Sequence, residues 1–200
     1  MRGAPEYSDA ERPRVAGFVL AGGQSTRMGR DKAFLEIDGQ PLVARIAMVV
    51  EEAAGSATIV GDPQRYGALG FHVIPDGIAG LGPLGGLLTA LENTKTAWNL
   101  VVACDMPGLT VSVMLRLVLA IPTAGQAQCI VPVSEQGMEP LCALYHRDCL
   151  DAVRRAITSK RLKMRDLAAE LAPLQIAGFT SGVFDNVNRP AEWSTYKGST

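Results

Sequence analysis

Two sets of residues in this chain have the types and spacing to handle a charged ligand. The first is a glycine pair, Gly22-Gly23, followed by two cations, Arg27 and Lys32. Paired glycines at the end of an apolar run let the backbone turn and bring bare N–H groups close to an anion, and phosphate suits such a turn best. Arginine can fork onto two phosphate oxygens, and lysine adds a mobile point charge. The second set is Asp105-Met106-Pro107, which closes the most continuous apolar stretch of the chain, residues 98–104. A carboxylate there is a hard oxygen ligand suited to magnesium, which takes one or two carboxylates and completes its shell with phosphate oxygens and water. The glycines alone would also fit an ordinary turn. No Gly-Lys-Ser/Thr follows them, so the loop is not a Walker A loop, and their spacing is not that of a dinucleotide fingerprint.

These residues need elements to hold them. Residues 15–21 are short, apolar and bounded by glycines, which predicts a buried central strand. Residues 33–37 suggest a short extended piece before the Asp38-Gly39 turn. Pro41 opens an apolar-periodic helix that Gly55 ends. Further strands are expected at 57–60, 71–74, 98–104 and 128–133, with helices at 87–92 and 110–121, the latter capped by Thr110. Residues 140–145 form an extended core piece whose polar tip is Tyr145. Strands alternating with helices imply an α/β fold, a mostly parallel sheet covered on both faces, with ligands beyond the carboxyl ends of the strands.

Composition narrows the class. The chain has 200 residues, nearly half of them apolar, and a net charge of −1, so an anion site must be local and there is no global bias toward nucleic acid or an anionic membrane. No apolar run approaches membrane-spanning length. Residues 1–14 are polar with two prolines and read as a flexible tail, leaving 15–200 as the folded domain. The four cysteines, Cys104, Cys129, Cys142 and Cys149, lack metal-ligand spacing, so reduced, mostly buried thiols and a cytoplasmic protein are expected.

Taken whole, Leu20-Ala21-Gly22-Gly23-x-Ser25-x-Arg27-Met28-Gly29-x-Asp31-Lys32 resembles the signature of the α/β nucleotidyltransferases, most closely that of the molybdenum cofactor guanylyltransferase family. The resemblance extends over residues 16–196. It implies a Rossmann-like three-layer α/β/α fold of nucleotidyltransferase type and transfer of GMP from GTP to molybdopterin, with Mg²⁺, in the cytoplasm. It further implies transient contact with molybdenum-insertion or molybdoenzyme proteins. In this resemblance Leu20, Ala21, Gly22, Gly23, Arg27 and Lys32 surround the triphosphate, Asp105 matches the metal ligand, and Asp76 matches a nucleotide contact. Gly61 stands where the family often has asparagine, which opens the choice of base: a molybdopterin cytidylyltransferase or a sugar-phosphate nucleotidyltransferase is the alternative. Asn186 and Asn188 match a carboxyl-terminal Asn-x-Asn-x-Pro-x-Glu motif.

Other features compete with that assignment. Gly80-x-Gly82-x-x-Gly85 matches a dinucleotide fingerprint letter for letter and would make the chain an NAD-binding oxidoreductase, but residues 75–79 separate it from its strand and Pro83 stiffens its turn. In the nucleotidyltransferase resemblance the same stretch is a second glycine-rich loop beside the nucleotide; more simply, it lets a helix approach the sheet. A catalytically silent nucleotide-binding protein is a further class. The basic run at 147–165 reads as a solvated helix face, with neutralisation of an acceptor phosphate as the functional alternative. His72 and His146 read as structural or solvent residues, and Ser25 has no evident base.

Overall fold

Alternation along the strands sorts the apolar residues into two sets, and each set becomes one face of a sheet. The computed structural model describes residues 13–22, 32–78, 80–180 and 182–186, with Lys32 described in its backbone alone. In chain order the strands are β1 (Val15–Leu20), β2 (Glu36–Ile37), β3 (Gln40–Pro41), β4 (Thr58–Val60), β5 (His72–Ile74), β6 (Trp98–Ala103), β7 (Cys129–Ser134), β8 (Gly137–Met138), β9 (Cys142–His146) and β10 (Leu174–Ile176). The helices are α1 (Leu42–Ala54), α2 (Pro63–Tyr66), α3 (Pro83–Glu92), α4 (Val111–Val118), α5 (Leu150–Thr158) and α6 (Met164–Glu170). The main sheet runs β10-β7-β9-β6-β1-β4-β5, with β8 paired to β7, while β2 and β3 form a separate hairpin.

On one face Val19, Ile59, Leu100, Val102 and Leu144 pack against α1 and α4; on the other Phe18, Leu20, Val60, Val101 and Tyr145 pack against α3, α5 and α6. The result is the expected three-layer arrangement around a mostly parallel sheet. Two strands depart from it: β9 runs antiparallel to both β6 and β7, and the short β8 runs antiparallel to β7.

Several local expectations need correction. The 3-10 turn Lys32–Phe34 stands where a wholly extended piece was expected. Helix α3 begins at Pro83, not residue 87, because proline at the first helical position fixes φ and Gly82 precedes it at φ 58°, a conformation costly for any residue with a Cβ. Thr110 occupies the N-cap position of α4, yet its hydroxyl pairs with Ser112 Oγ at 2.9 Å and makes no capping bond. Tyr145 is no polar tip: it is fully buried, and its hydroxyl donates to the Pro140 carbonyl at 2.7 Å. Helix α2, helix α6 and strand β10 were not anticipated.

Candidate active site at the carboxyl ends of the central strands

Register places the candidate residues. Leu20 pairs with Val60 on one side and with Ala103 on the other, and Val60 pairs with Ile74. The residues that follow these positions therefore emerge together at one edge of the sheet: Ala21-Gly22 after β1, Gly61 after β4, Asp76 after β5, and Cys104-Asp105 after β6. Three hydrogen bonds extend the ladder past the strand ends, from Ala21 N–H to the Val60 carbonyl (2.9 Å), from Gly61 N–H to the Ile74 carbonyl (2.9 Å) and from Cys104 N–H to the Leu20 carbonyl (3.1 Å). The Ala21 and Gly61 amides are thus committed to the sheet, so Ala21 borders the edge without offering its N–H to a ligand.

Asp76 sits against Gly22. A Cβ on Gly22 would lie 2.9 Å from Asp76 Oδ2, so glycine is what lets the loop and the carboxylate approach. The carboxylate is held from behind by Thr89 of α3, whose hydroxyl lies 3.5 Å from Oδ1 and also accepts from Gly77 N–H at 3.1 Å. Burial raises the Asp76 pKa above its ordinary value, and the Ile78 N–H and the Thr89 hydroxyl only partly oppose that shift. Helix α3 comes close because Gly86 lies on Leu20, where a Cβ would meet Leu20 Cδ2 at 2.9 Å. The second glycine-rich stretch therefore does bring a helix onto the sheet, and of the fingerprint glycines Gly82 caps the start of α3 while Gly85, in its first turn, lies close to the Ile78 carbonyl.

Asp105 is half-buried at the tip of β6, with Oδ1 buried. Met106 and Leu109 anchor the turn that follows it in the core. Among the described residues no three His, Cys, Asp or Glu side chains gather as a metal cage. A donor set with one hard carboxylate at a ligand-facing edge fits Mg²⁺ delivered with a polyphosphate, and suits zinc poorly.

Lys32 begins the 3-10 turn Lys32–Phe34, and Phe34 stacks on Tyr66 with ring centroids 5.6 Å apart. Tyr66 in turn donates its hydroxyl to the Ala21 carbonyl at 2.9 Å, so the backbone at Lys32 is tied through Phe34 to the same strand end. Gly23, Arg27, Asn188 and the Lys32 side chain lie outside the described residues. Asn186 is exposed and follows Phe184, which is buried against the α1–α4 face. Residues Gly182, Phe184 and Asp185 line a cavity of about 50 Å³ with Ser134, Glu135, Gln136 and Glu139, at the carboxyl end of β7. The carboxyl-terminal motif thus starts on the far half of the same edge.

Three cations of the basic run are engaged in surface ion pairs. Arg154 meets Glu92 at 2.9 Å and Asp151 at 3.6 Å, Arg161 pairs with Glu170, and Arg165 lies 3.9 Å from Glu139. His146 contacts the Asp148 N–H and carboxylate and packs edge-on against Trp98, a local structural role. All four cysteines are free thiols, and Cys129, Cys142 and Cys149 are buried; burial raises their pKa values, that of Cys142 to about 12. Sequence reading missed Tyr66. Its only signal was an aromatic residue one helical turn beyond the Asp62-Pro63 helix start.

Residues 17–174 match the family model of the MobA-like NTP transferase domain. The chain belongs to this family. The match begins within β1 and ends at the first residue of β10, so it includes Leu20, Gly22, Gly61, Asp76 and Asp105, while Asn186 lies beyond it. Among curated relatives, a probable molybdenum cofactor guanylyltransferase of Pelotomaculum thermopropionicum is 32% identical over 193 residues, covering 90% of each chain. One of the same name from Deinococcus radiodurans is 33% identical over 181 residues, covering 90% of this chain and 92% of its own. In fold, the MobA-like chain resembles the crystal structure of molybdopterin-guanine dinucleotide biosynthesis protein A from Archaeoglobus fulgidus, with a TM-score of 0.76, 22% identity and coverage of 92% and 97%. Membership in a nucleotidyltransferase family displaces the oxidoreductase reading of Gly80-x-Gly82-x-x-Gly85.

Proposed function

We propose that this protein is a molybdenum cofactor guanylyltransferase, transferring GMP from GTP to the terminal phosphate of molybdopterin with release of pyrophosphate. The observation that carries this reading is that Asp105, Gly22 and Asp76 leave the same edge of the sheet, from β6, its neighbour β1 and, beyond β4, β5, with Gly22 against Asp76, in a MobA-like chain. The reaction is an in-line attack of the acceptor phosphate oxygen on the α-phosphorus, and no covalent enzyme intermediate is needed. The protein's contribution is positioning and charge stabilisation.

In this reading Gly22 and Gly23 offer backbone N–H groups to the triphosphate, and Arg27 and Lys32 neutralise it. Leu20 and Ala21 set the height of the loop above the sheet. Asp76, backed by Thr89, accepts a hydrogen bond from the nucleoside at the near end of the crevice. Asp105 holds Mg²⁺, which when bound offsets charge on the phosphates. Asn186 and Asn188 supply paired amides that can donate to and accept from the nucleotide. Residues 15–200 are the working unit, with 1–14 a tail. Among the described residues no helix is long and apolar enough to cross a membrane, in keeping with a cytoplasmic enzyme that draws GTP and molybdopterin from solution and hands product to molybdoenzyme partners.

The test is pyrophosphate release by the full-length chain with purified molybdopterin, Mg²⁺ and a panel of GTP, CTP and ATP. Preference for GTP is expected. Gly61 offers no side chain to a base, and preference for CTP would move the assignment to a molybdopterin cytidylyltransferase. GTP binding without Mg²⁺-dependent pyrophosphate release would mark a silent binding protein.

A further inference from the structure

We infer that Tyr66 is a positioning residue of the nucleotide site, and that it acts by setting the direction of the Gly22 N–H. The inference rests on the reading of this edge as a triphosphate site. Ala21 has both backbone polar groups engaged: its N–H goes to Val60, and its carbonyl accepts from the Tyr66 hydroxyl at 2.9 Å. That carbonyl belongs to the same planar peptide as the Gly22 N–H, and in a trans peptide the two point in opposite directions. Pulling the carbonyl toward Tyr66 therefore turns the Gly22 N–H away from Tyr66. The donor is aimed before any anion arrives, and preorganisation of this kind lowers the cost of binding.

The ring has been given room to do this. Tyr66 is 1% exposed and lies on the Cα face of Gly61, where a Cβ would come within 2.7 Å of Tyr66 Cε2 and 2.9 Å of Cδ2. Any side chain at Gly61 would displace the ring and with it the hydroxyl. Phe34 stacks on the ring, so the returning end of the loop is braced by the same side chain. The absence of a side chain at Gly61 is thus tied to the presence of Tyr66.

The experiment compares the full-length wild type with Tyr66→Phe, which keeps the ring and removes the hydroxyl, and with Gly61→Ala, which keeps the hydroxyl and moves the ring. Steady-state pyrophosphate release from GTP, direct binding of tripolyphosphate, and Tm are measured on each. Both variants are expected to raise KM for GTP and the Kd for tripolyphosphate about fivefold while kcat stays within about twofold, because the N–H serves bound substrate and transition state alike. An unchanged KM and Kd in Tyr66→Phe, or a loss of kcat at unchanged KM, overturns the inference and leaves the guanylyltransferase reading standing. A wild type that binds tripolyphosphate, more tightly than Tyr66→Phe does, but never turns over GTP overturns that reading and leaves the inference standing. A wild type that neither binds tripolyphosphate nor releases pyrophosphate from GTP overturns both. Should Tyr66→Phe fold poorly, Gly61→Ala decides by the same criteria.

Discussion

Asp76 Oδ2 lies 2.9 Å from the point where Gly22 would carry a Cβ. An acidic side chain and the opening of a phosphate-type loop share one contact, although their positions in the chain are far apart. A methyl group there would meet the far end of a side chain, not backbone, so the carboxylate moves while the fold persists. Gly22→Ala is expected to raise KM for GTP about tenfold through misplacement of Asp76 and the loop, with Tm almost unchanged. Kinetics and a thermal melt on the same preparation check it.

The raised pKa of Asp76 has a definite sign. Its folded value lies above the ordinary 3.8 because burial disfavours the charged carboxylate, so between the two values the native state binds a proton that the unfolded chain does not. Its contribution to stability is fully present below the ordinary value and is lost as pH rises through the folded one. Asp76→Asn, which cannot ionise, should therefore gain Tm relative to wild type as pH goes from about 4 to about 7. A Tm difference that is flat or shrinks over that range contradicts the assignment. The same variant should lose GTP affinity at neutral pH.

Asp105→Asn keeps the shape of the side chain and removes its charge. Mg²⁺-dependent pyrophosphate release should fall by about a hundredfold or more with Tm little changed, and Lys32→Ala should cost about 1.5–3 kcal/mol of transition-state stabilisation. Titrating Mg²⁺ separates them: the Asp105 variant should need more metal, and the Lys32 variant should not. Equal metal dependence in both would remove Asp105 from the metal site.

Gly17, in the middle of β1, faces α1 at closer range than any side chain allows. A Cβ would sit 2.3 Å from both the Ser56 carbonyl oxygen and Val50 Cγ1, and the carbonyl is backbone that cannot swing aside. Gly17→Ala should destabilise by about 3 kcal/mol, a drop in Tm of about 6–12 °C for a chain of this size. Denaturant unfolding with an unchanged m-value is the check.

The central strands were legible because β1 and β6 are buried on both sides and read as nearly continuous apolar runs, interrupted in β6 only by Asn99. The candidate site was legible where its residues follow such strands, as Gly22 and Asp105 do. What escaped was short or depended on distant partners. Helix α2 has four residues, too few to display a period. Strand β10 is a three-residue edge strand with Gln175 outward. Helix α6 begins only where the basic run ends and has seven residues, and the Tyr145 hydroxyl reads as a polar tip until the fold brings it its partner, the Pro140 carbonyl. Tyr66 is the instructive case, since its role depends on the Ala21 carbonyl and on the missing side chain of Gly61, neither of which leaves a local pattern.

The reversed direction of β9 has a bearing on how such a chain can change. Because β9 descends while its neighbours β6 and β7 ascend, the hairpin linking β7 to β9 opens at the same rim as the tips of β1, β4, β5 and β6. Insertions or replacements between Ser134 and Cys142 can therefore reshape one flank of the rim without shifting the pairing of Leu20, Val60 and Ala103 on the other. Variation on that flank and constancy at the tips of β1, β4 and β6 can be inherited separately, within one continuous sheet.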